Sequence, residues 1–253
     1  MNKSVPKALI LFITVTVFIQ IFYTVMANQN LYVDERHFPY GYAVHLSYYL
    51  AVFLVTFLFV GKIDFSSIGL KHDTFWKRYL LLGLAFGLLF HAIRTIAIPG
   101  AFGRNYYLPL ELYVPAFIFL GLLIGLAEES TFRGYILDSF LKNYEPLLAV
   151  IVSSLLFGIY HVNFSDPNYS WWTYYVLQAF TGGLIMSILY IKTGRNLIAP
   201  IAYHSTNIIV GQLIPWTPQV SAEYLLAIQS IINIALAAVL VYLPISRNKT
   251  KLE

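Results

Sequence analysis

The stretch AEESTFRG, residues 127–134, contains two adjacent glutamates, Glu128 and Glu129. They follow directly after sixteen uncharged, mostly apolar residues, 112–127. That run is typical of a membrane-spanning helix, where adjacent carboxylates are costly unless each has a partner or a task. On an α-helix Glu129 and Arg133 stand at i and i+4 with the acid first, the favourable order for an ion pair. Glu128 points about 100° away and lacks that partner. We therefore expect Glu128 to face a cavity; in the alternative, both glutamates end the helix in water.

The composition indicates an integral membrane protein. Of 253 residues, 58% are hydrophobic and 11% are charged, against roughly 25% charged in soluble domains. No linker-like segment or internal repeat divides the chain, so one transmembrane domain over residues 1–253 is expected. The absence of cysteine excludes disulfides, thiolate nucleophiles and cysteine-bound metals.

Eight apolar segments follow one another, most of them close to the ~20 residues that a bilayer requires. They cover about 8–27, 41–61, 79–99, 112–128 with a helical extension, 146–161, 171–191, 197–214 and 224–243. The fifth is short and could be a core helix, and the first could instead be a cleaved signal peptide. We predict an all-α polytopic membrane protein with about eight transmembrane helices in one bundle.

The basic residues predict the orientation of this bundle. In an eight-pass arrangement 13 of the 16 Lys and Arg residues, Arg133 among them, fall on one side. By the positive-inside rule both termini are cytoplasmic, in the plasma membrane if the source is bacterial. This topology also explains the net charge of +4, so no nucleic-acid partner is expected.

Polar residues within the apolar segments predict one chamber around Glu128. His161 ends FGIYH, and a helical hairpin that turns near residues 143–146 brings it to the depth of Glu128, at ~1.5 Å per residue. His204 and Asn207, in AYHSTNII, are three residues apart and share a helix face at a similar depth. The remaining span residue His45 is interpreted as a core or interfacial residue.

Two further patterns are given structural interpretations. His91 and Arg94 are expected to reach the outer interface. GxxxG spacings at Gly83/Gly87 and Gly121/Gly125 predict close helix packing.

Three motifs together resemble the CPBP intramembrane proteases. EESTFR is similar to the EExxxR signature of that family, FGIYH to FxxxH, and HSTN to a variant of HxxxN, over about residues 62–211. The family includes type II CAAX prenyl endopeptidases and Abi-like bacterial proteins linked to bacteriocin immunity and processing. One departure stands out, because the family pattern places its Asn at position 208, where this chain has Ile208, one residue after Asn207.

The chemistry expected of this set is hydrolysis without a covalent intermediate. No cysteine is present and no Ser or Thr is placed convincingly beside a histidine and a buried acid, so water is the expected nucleophile. Glu128 would take a proton from water that His161 orients, while His204 and Asn207 stabilise the oxyanion. The resemblance favours this mechanism, without a cofactor, and implies that Glu129 and Arg133 support the helix.

Other functions remain open from sequence. Glu128, His161 and His204 would also be a sound zinc set, although HExxH is absent. A non-catalytic membrane immunity or scaffold protein is a second alternative. A transporter is a third, without the repeat or broken helices typical of one. The expected partners are the lipid bilayer and a membrane-associated or lipidated peptide or protein substrate.

Overall fold

The computed structural model describes residues 4–29, 40–61, 65–102, 110–164, 169–213 and 216–245, and helices dominate these ranges. A 3-10 turn at Phe65–Ile68 precedes α3, and a π-helix at Ser130–Leu137 connects α4 to α5. The α-helices are α1 (Ser4–Gln29), α2 (Tyr40–Val60), α3 (Trp76–Ala97), α4 (Leu110–Glu129), α5 (Asp138–Leu141), α6 (Pro146–Tyr160), α7 (Tyr169–Lys192), α8 (Ile198–Leu213) and α9 (Ala222–Tyr242).

Each of the eight apolar segments contains a helix, but the helices differ in length. Within the described ranges, six helical stretches are long and apolar enough to cross a membrane: Ser4–Val25, Tyr40–Val60, Trp76–Ala97, Val114–Leu141, Trp172–Lys192 and Glu223–Tyr242. Helices α6 and α8 have only 15 and 16 residues, about 22–24 Å at the usual rise and short of a ~30 Å hydrocarbon core. The chain is therefore an integral membrane helical bundle, with six full-length candidate spans.

Helix α8 is held against α3 and α4 by the glycine pairs. A Cβ atom on Gly83 would lie 2.2 Å from the Ala199 carbonyl oxygen of α8, and one on Gly125 would lie 2.3 Å from the Ser205 Oγ. No larger residue fits these contacts without moving a helix. The predicted close packing is confirmed, and it fixes the helix that carries His204.

The other side of the bundle is formed by α7, which packs against both α6 and α9. The backbones of α6 and α7 also approach closely, because a Cβ on Gly158 would lie 2.6 Å from the Val176 carbonyl oxygen. A short antiparallel ribbon joins β1 (Gly100–Phe102) to β2 (Trp216–Pro218). Its two strands have three residues each, so the described structure is otherwise helical and the predicted all-α class is confirmed.

The π-helix is a departure from the expected α-helical extension. Thr131 Oγ1 donates to the Ala127 carbonyl oxygen at 2.8 Å and lies 2.7 Å from Thr56 Oγ1 of α2. Such a bond from a threonine side chain to the preceding turn often bends a helix, and π-helical turns are frequently found at functional sites. The wider turns lie directly after Glu128 and Glu129, with nearly all of their side chains buried.

Candidate active site

Glu128 lies in the last turn of α4 and is 1% exposed. Its Oε2 atom is 3.7 Å from His161 Nε2 and 3.7 Å from His204 Nε2. No hydrogen-bond partner of this Oε2 is found in the part of the chain that the structure describes. Three helices, α4, α6 and α8, thus bring together three of the four residues predicted for the chamber.

His161 follows the last residue of α6, and its ring orientation is fixed by the backbone. Its Nδ1 lies 2.8 Å from the Phe157 carbonyl oxygen, which can only accept a hydrogen bond, so Nδ1 is the donor. In the neutral ring the proton is then on Nδ1, and Nε2 presents a lone pair toward Glu128.

His204 is oriented by the second glutamate. Its Nδ1 lies 2.8 Å from Glu129 Oε1, and the same oxygen accepts a hydrogen bond from Arg133 Nη1 at 3.0 Å. The sequence predicted the ion pair on one helix but not its extension to His204 on another. Nothing in the spacing of the motifs indicates which histidine Glu129 would meet.

Arg133 is fully buried within the protein. Its Nη2 donates to the Gly183 carbonyl oxygen of α7 at 3.1 Å, and its guanidinium lies 4.3 Å from the centre of the Phe157 ring. A Cβ at position 183 would lie 3.0 Å from Ser154 Cβ and 3.1 Å from Arg133 Nη2, so a larger residue there would require these neighbours to shift slightly. Arg133 therefore joins the helix of Glu129 to α6 and α7.

A cavity of about 300 Å³ opens beside Glu128. Its other lining residues are mostly apolar or aromatic: His45, Tyr49, Phe117, Leu120, Gly121, Ile124, His161, His204, Ile208 and Gln212. His45 and Tyr49 of α2 were not predicted to belong to the site. They stand one helical turn apart, but only the packing of α2 against α4 shows that this face meets Glu128.

Asn207 does not line the Glu128 cavity. It lines a neighbouring cavity of about 330 Å³, which also includes His161, His204 and Ile208. Ile208 contributes to both cavities, so the position where the family pattern has Asn faces Glu128 with an apolar side chain. The predicted oxyanion role of Asn207 stays a prediction.

His91 is buried rather than interfacial. It is 7% exposed, and its Nε2 lies 3.2 Å from the Asn207 carbonyl oxygen. The expectation that this histidine reaches the outer interface is therefore wrong, because α3 turns it toward α8.

The arrangement offers a carboxylate and two imidazole nitrogens around one point. A separation of 3.7 Å is longer than a direct hydrogen bond. The same atoms would be the ligands of the zinc alternative. Within the described ranges, no group of three or more His, Asp or Glu side chains has the arrangement of a metal site.

The buried ion pair can be tested against an exposed pair of the same spacing. Arg133→Met should lower the free energy of unfolding by about 3–5 kcal/mol, because the buried Glu129 carboxylate loses its arginine partner and keeps only His204. Lys142→Met, which breaks the exposed i,i+4 pair with Asp138, should cost about 0–1 kcal/mol. Thermal unfolding of both variants in detergent measures the difference, and equal losses would contradict a structural role for Arg133.

Residues 110–210 match the model of the family described as type II CAAX prenyl endopeptidase Rce1-like. The comparison with curated proteins found no match. The matched region runs from α4 to α8 and contains all three motifs, whereas residues 62–109 lie outside it. Over residues 110–210 the chain is thus similar to the Rce1-like type II CAAX prenyl endopeptidase family, which confirms the resemblance to the CPBP proteases over this region.

Proposed function

We propose that the protein is an intramembrane endopeptidase that hydrolyses a peptide bond of a membrane-associated protein or peptide. The observation that supports this most is the placement of Glu128 Oε2, buried and without a hydrogen-bond partner among the described residues, at 3.7 Å from two imidazole Nε2 atoms. A buried carboxylate beside basic groups is the arrangement that general-base catalysis requires. The family match over residues 110–210 supports a protease.

In the proposed reaction, water between Glu128 and His161 is the nucleophile. One hydrogen of this water faces Glu128, and the other is held by the Nε2 lone pair of His161. As the water oxygen attacks the scissile carbonyl carbon, its proton passes to Glu128. The tetrahedral intermediate collapses with cleavage of the C–N bond, and Glu128 returns the proton to the leaving amine.

His204 is the proposed donor to the oxyanion. Its Nδ1 is held by Glu129, so Nε2 can donate only when the ring carries both protons. The Glu129 carboxylate lies 2.8 Å from His204 Nδ1, and Arg133 keeps that carboxylate in place. Donors aimed at a developing oxyanion are worth ~10²–10³ in turnover.

Exchanging each adjacent glutamate for glutamine separates their roles. Glu128→Gln should reduce cleavage by ~10²–10⁴ with unchanged protein abundance, since general acid–base catalysis is worth that much. Glu129→Gln should lower abundance first, because it disturbs both Arg133 and His204. Comparing peptide termini across the membrane proteome of cells with each variant gives the cleavage, and immunoblotting gives the abundance.

Glu223→Gln, at an exposed glutamate remote from the site, is the matched control and should behave as wild type. If the Glu128→Gln proteome keeps the wild-type termini, the general-base role is wrong. If Glu128→Gln also keeps the biological effect of the wild-type protein, a membrane immunity or scaffold function explains the chain better.

We propose further that the chain is one transmembrane domain of eight helices with both termini in the cytoplasm. If buried Arg133 is left out of the count, 12 basic residues lie on the proposed cytoplasmic side and 3 on the opposite side. This difference still favours the proposed orientation. The basic residues of the C-terminal tail lie outside the described residues. A fluorescent protein fused after Glu253 should fluoresce, whereas activity of a phosphatase fused there would contradict the topology.

No resident metal is needed in the proposed mechanism, because Glu128 and His161 activate the water themselves. Activity should survive prolonged treatment with a chelator, and elemental analysis of purified protein should find far less than one zinc per chain. Stoichiometric zinc that is lost and restored together with activity would establish the metalloprotease alternative.

A further inference from the structure

The Glu128 cavity extends away from the glutamate in one direction. On α4 its lining residues run from Glu128 back to Phe117, a helical rise of about 16 Å, and on α8 they run from His204 forward to Gln212, about 12 Å. None of the described lining residues follows Glu128 on α4 or in the π-helix, and none precedes His204 on α8. Glu128 therefore lies at the base of this cavity rather than halfway along it.

Both runs lead to the same end of the bundle, because α4 and α8 are antiparallel. A Cβ on Gly125 would meet the Ser205 side chain of α8. A Cβ on Gly121, about one turn earlier on α4, would meet Ile209, about one turn later on α8. The cavity thus lies between two helices that approach each other closely along its length.

Helix α2 gives the same direction. Thr56 of α2 lies 2.7 Å from Thr131, directly beyond the base of the cavity. The α2 residues that line the cavity, Tyr49 and His45, come about two and three turns before Thr56. All three helices therefore place the cavity on the same side of Glu128.

The opposite end of the bundle, here called the basic end, contains the turn between α5 and α6. Arg195, which follows α7, forms an ion pair there with Asp138 of α5 at 3.0 Å, and Lys142 is exposed in the turn. Between this end and Glu128, every residue of the π-helix except Tyr135 is buried. The described residues thus leave no route to Glu128 from the basic end along the π-helix.

The second cavity, beside Asn207, ends before the basic end as well. Its lining on α7 stops at Met186, which is buried. The next inward-facing residues of α7, Leu189 and Tyr190, are also buried and do not line it. Within the described structure, neither cavity reaches the basic end.

We propose that the substrate reaches Glu128 from the end of the bundle opposite the basic end, on the non-cytoplasmic side of the membrane. The proposal rests on the proposed protease function and topology, because the positive-inside rule makes the basic end cytoplasmic. The substrate class is then an exported peptide or membrane protein whose scissile bond lies on the non-cytoplasmic side or in the outer half of the bilayer. The mostly apolar lining of the cavity suits apolar side chains next to that bond.

Single cysteines can report access of water from each side of the membrane, because the chain has none of its own. Ile124 lines the cavity about one turn from Glu128, and the smaller cysteine fits in its place. Ile124→Cys should react with a cationic, membrane-impermeant thiol reagent added to right-side-out vesicles, and should stay unreacted in inside-out vesicles. A large thiol tag added afterwards measures the unreacted fraction on a gel. Leu120→Cys, about one turn further out in the same cavity, should give the same pattern.

Two control variants separate cavity access from general exposure. Lys142→Cys, at the basic end, should show the reverse pattern and react only in inside-out vesicles. Leu122→Cys lies on α4 at a similar depth to Leu120, but its side chain is exposed on the outside of the bundle and does not line the cavity. Facing lipid, it should react in neither preparation, because the thiolate that reacts is not formed in an apolar environment.

Reaction of Ile124→Cys and Leu120→Cys in inside-out vesicles would overturn the proposal, and so would the absence of reaction in both preparations. Reaction of Lys142→Cys in right-side-out vesicles would overturn it too, because the basic end would then not be cytoplasmic.

The labelling needs no cleavage and can be repeated in the Glu128→Gln protein, so its result does not depend on the protease function. If the chain is a protease, the peptide termini lost in Glu128→Gln cells should map to non-cytoplasmic segments or to the outer halves of membrane spans. Lost termini that map to cytoplasmic segments would contradict the substrate class while leaving the catalytic role of Glu128 intact.

Discussion

The site depends on one buried oxygen, Glu129 Oε1, which accepts hydrogen bonds from both Arg133 and His204. A buried carboxylate is costly unless it is paired and hydrogen-bonded, and here its two partners lie on different helices. The pairing therefore joins α8 to the helix of Glu128. Arg133 extends the connection through the Gly183 carbonyl oxygen to α7. Beside this pairing, Glu128 Oε2 has no hydrogen-bond partner among the described residues.

Much of this arrangement follows from local rules that can be applied to sequence. The helical rise per residue, counted along the two arms of a hairpin, predicted that His161 lies at the depth of Glu128. The i,i+4 spacing predicted the Glu129–Arg133 ion pair. GxxxG spacing gave the close contacts of α8. Each of these three predictions uses only the helical repeat within one segment or the equal number of residues on the two sides of one turn. Both can be counted directly in the sequence.

The features that sequence did not predict depend on contacts between helices that are distant along the chain. The meeting of Glu129 with His204, and of His45 with the Glu128 cavity, requires the rotation of each helix about its axis. The π-helix arises where Thr131 meets Thr56, 75 residues away. The outcome at two adjacent positions has the same origin, since the rotation of α8 lets Ile208 line both cavities while Asn207 lines only the second.

Because of this rotation, Ile208 lies between the two cavities. Together with His161 and His204 it forms the wall between the two cavities, so the reacting atoms lie on a partition rather than at the end of a pocket. Under the proposed function, a substrate that occupies both sides must cross that partition at the histidines. Under that proposal, the two cavities would hold the stretches of chain on either side of the bond to be cut, and Ile208 would lie beside that bond.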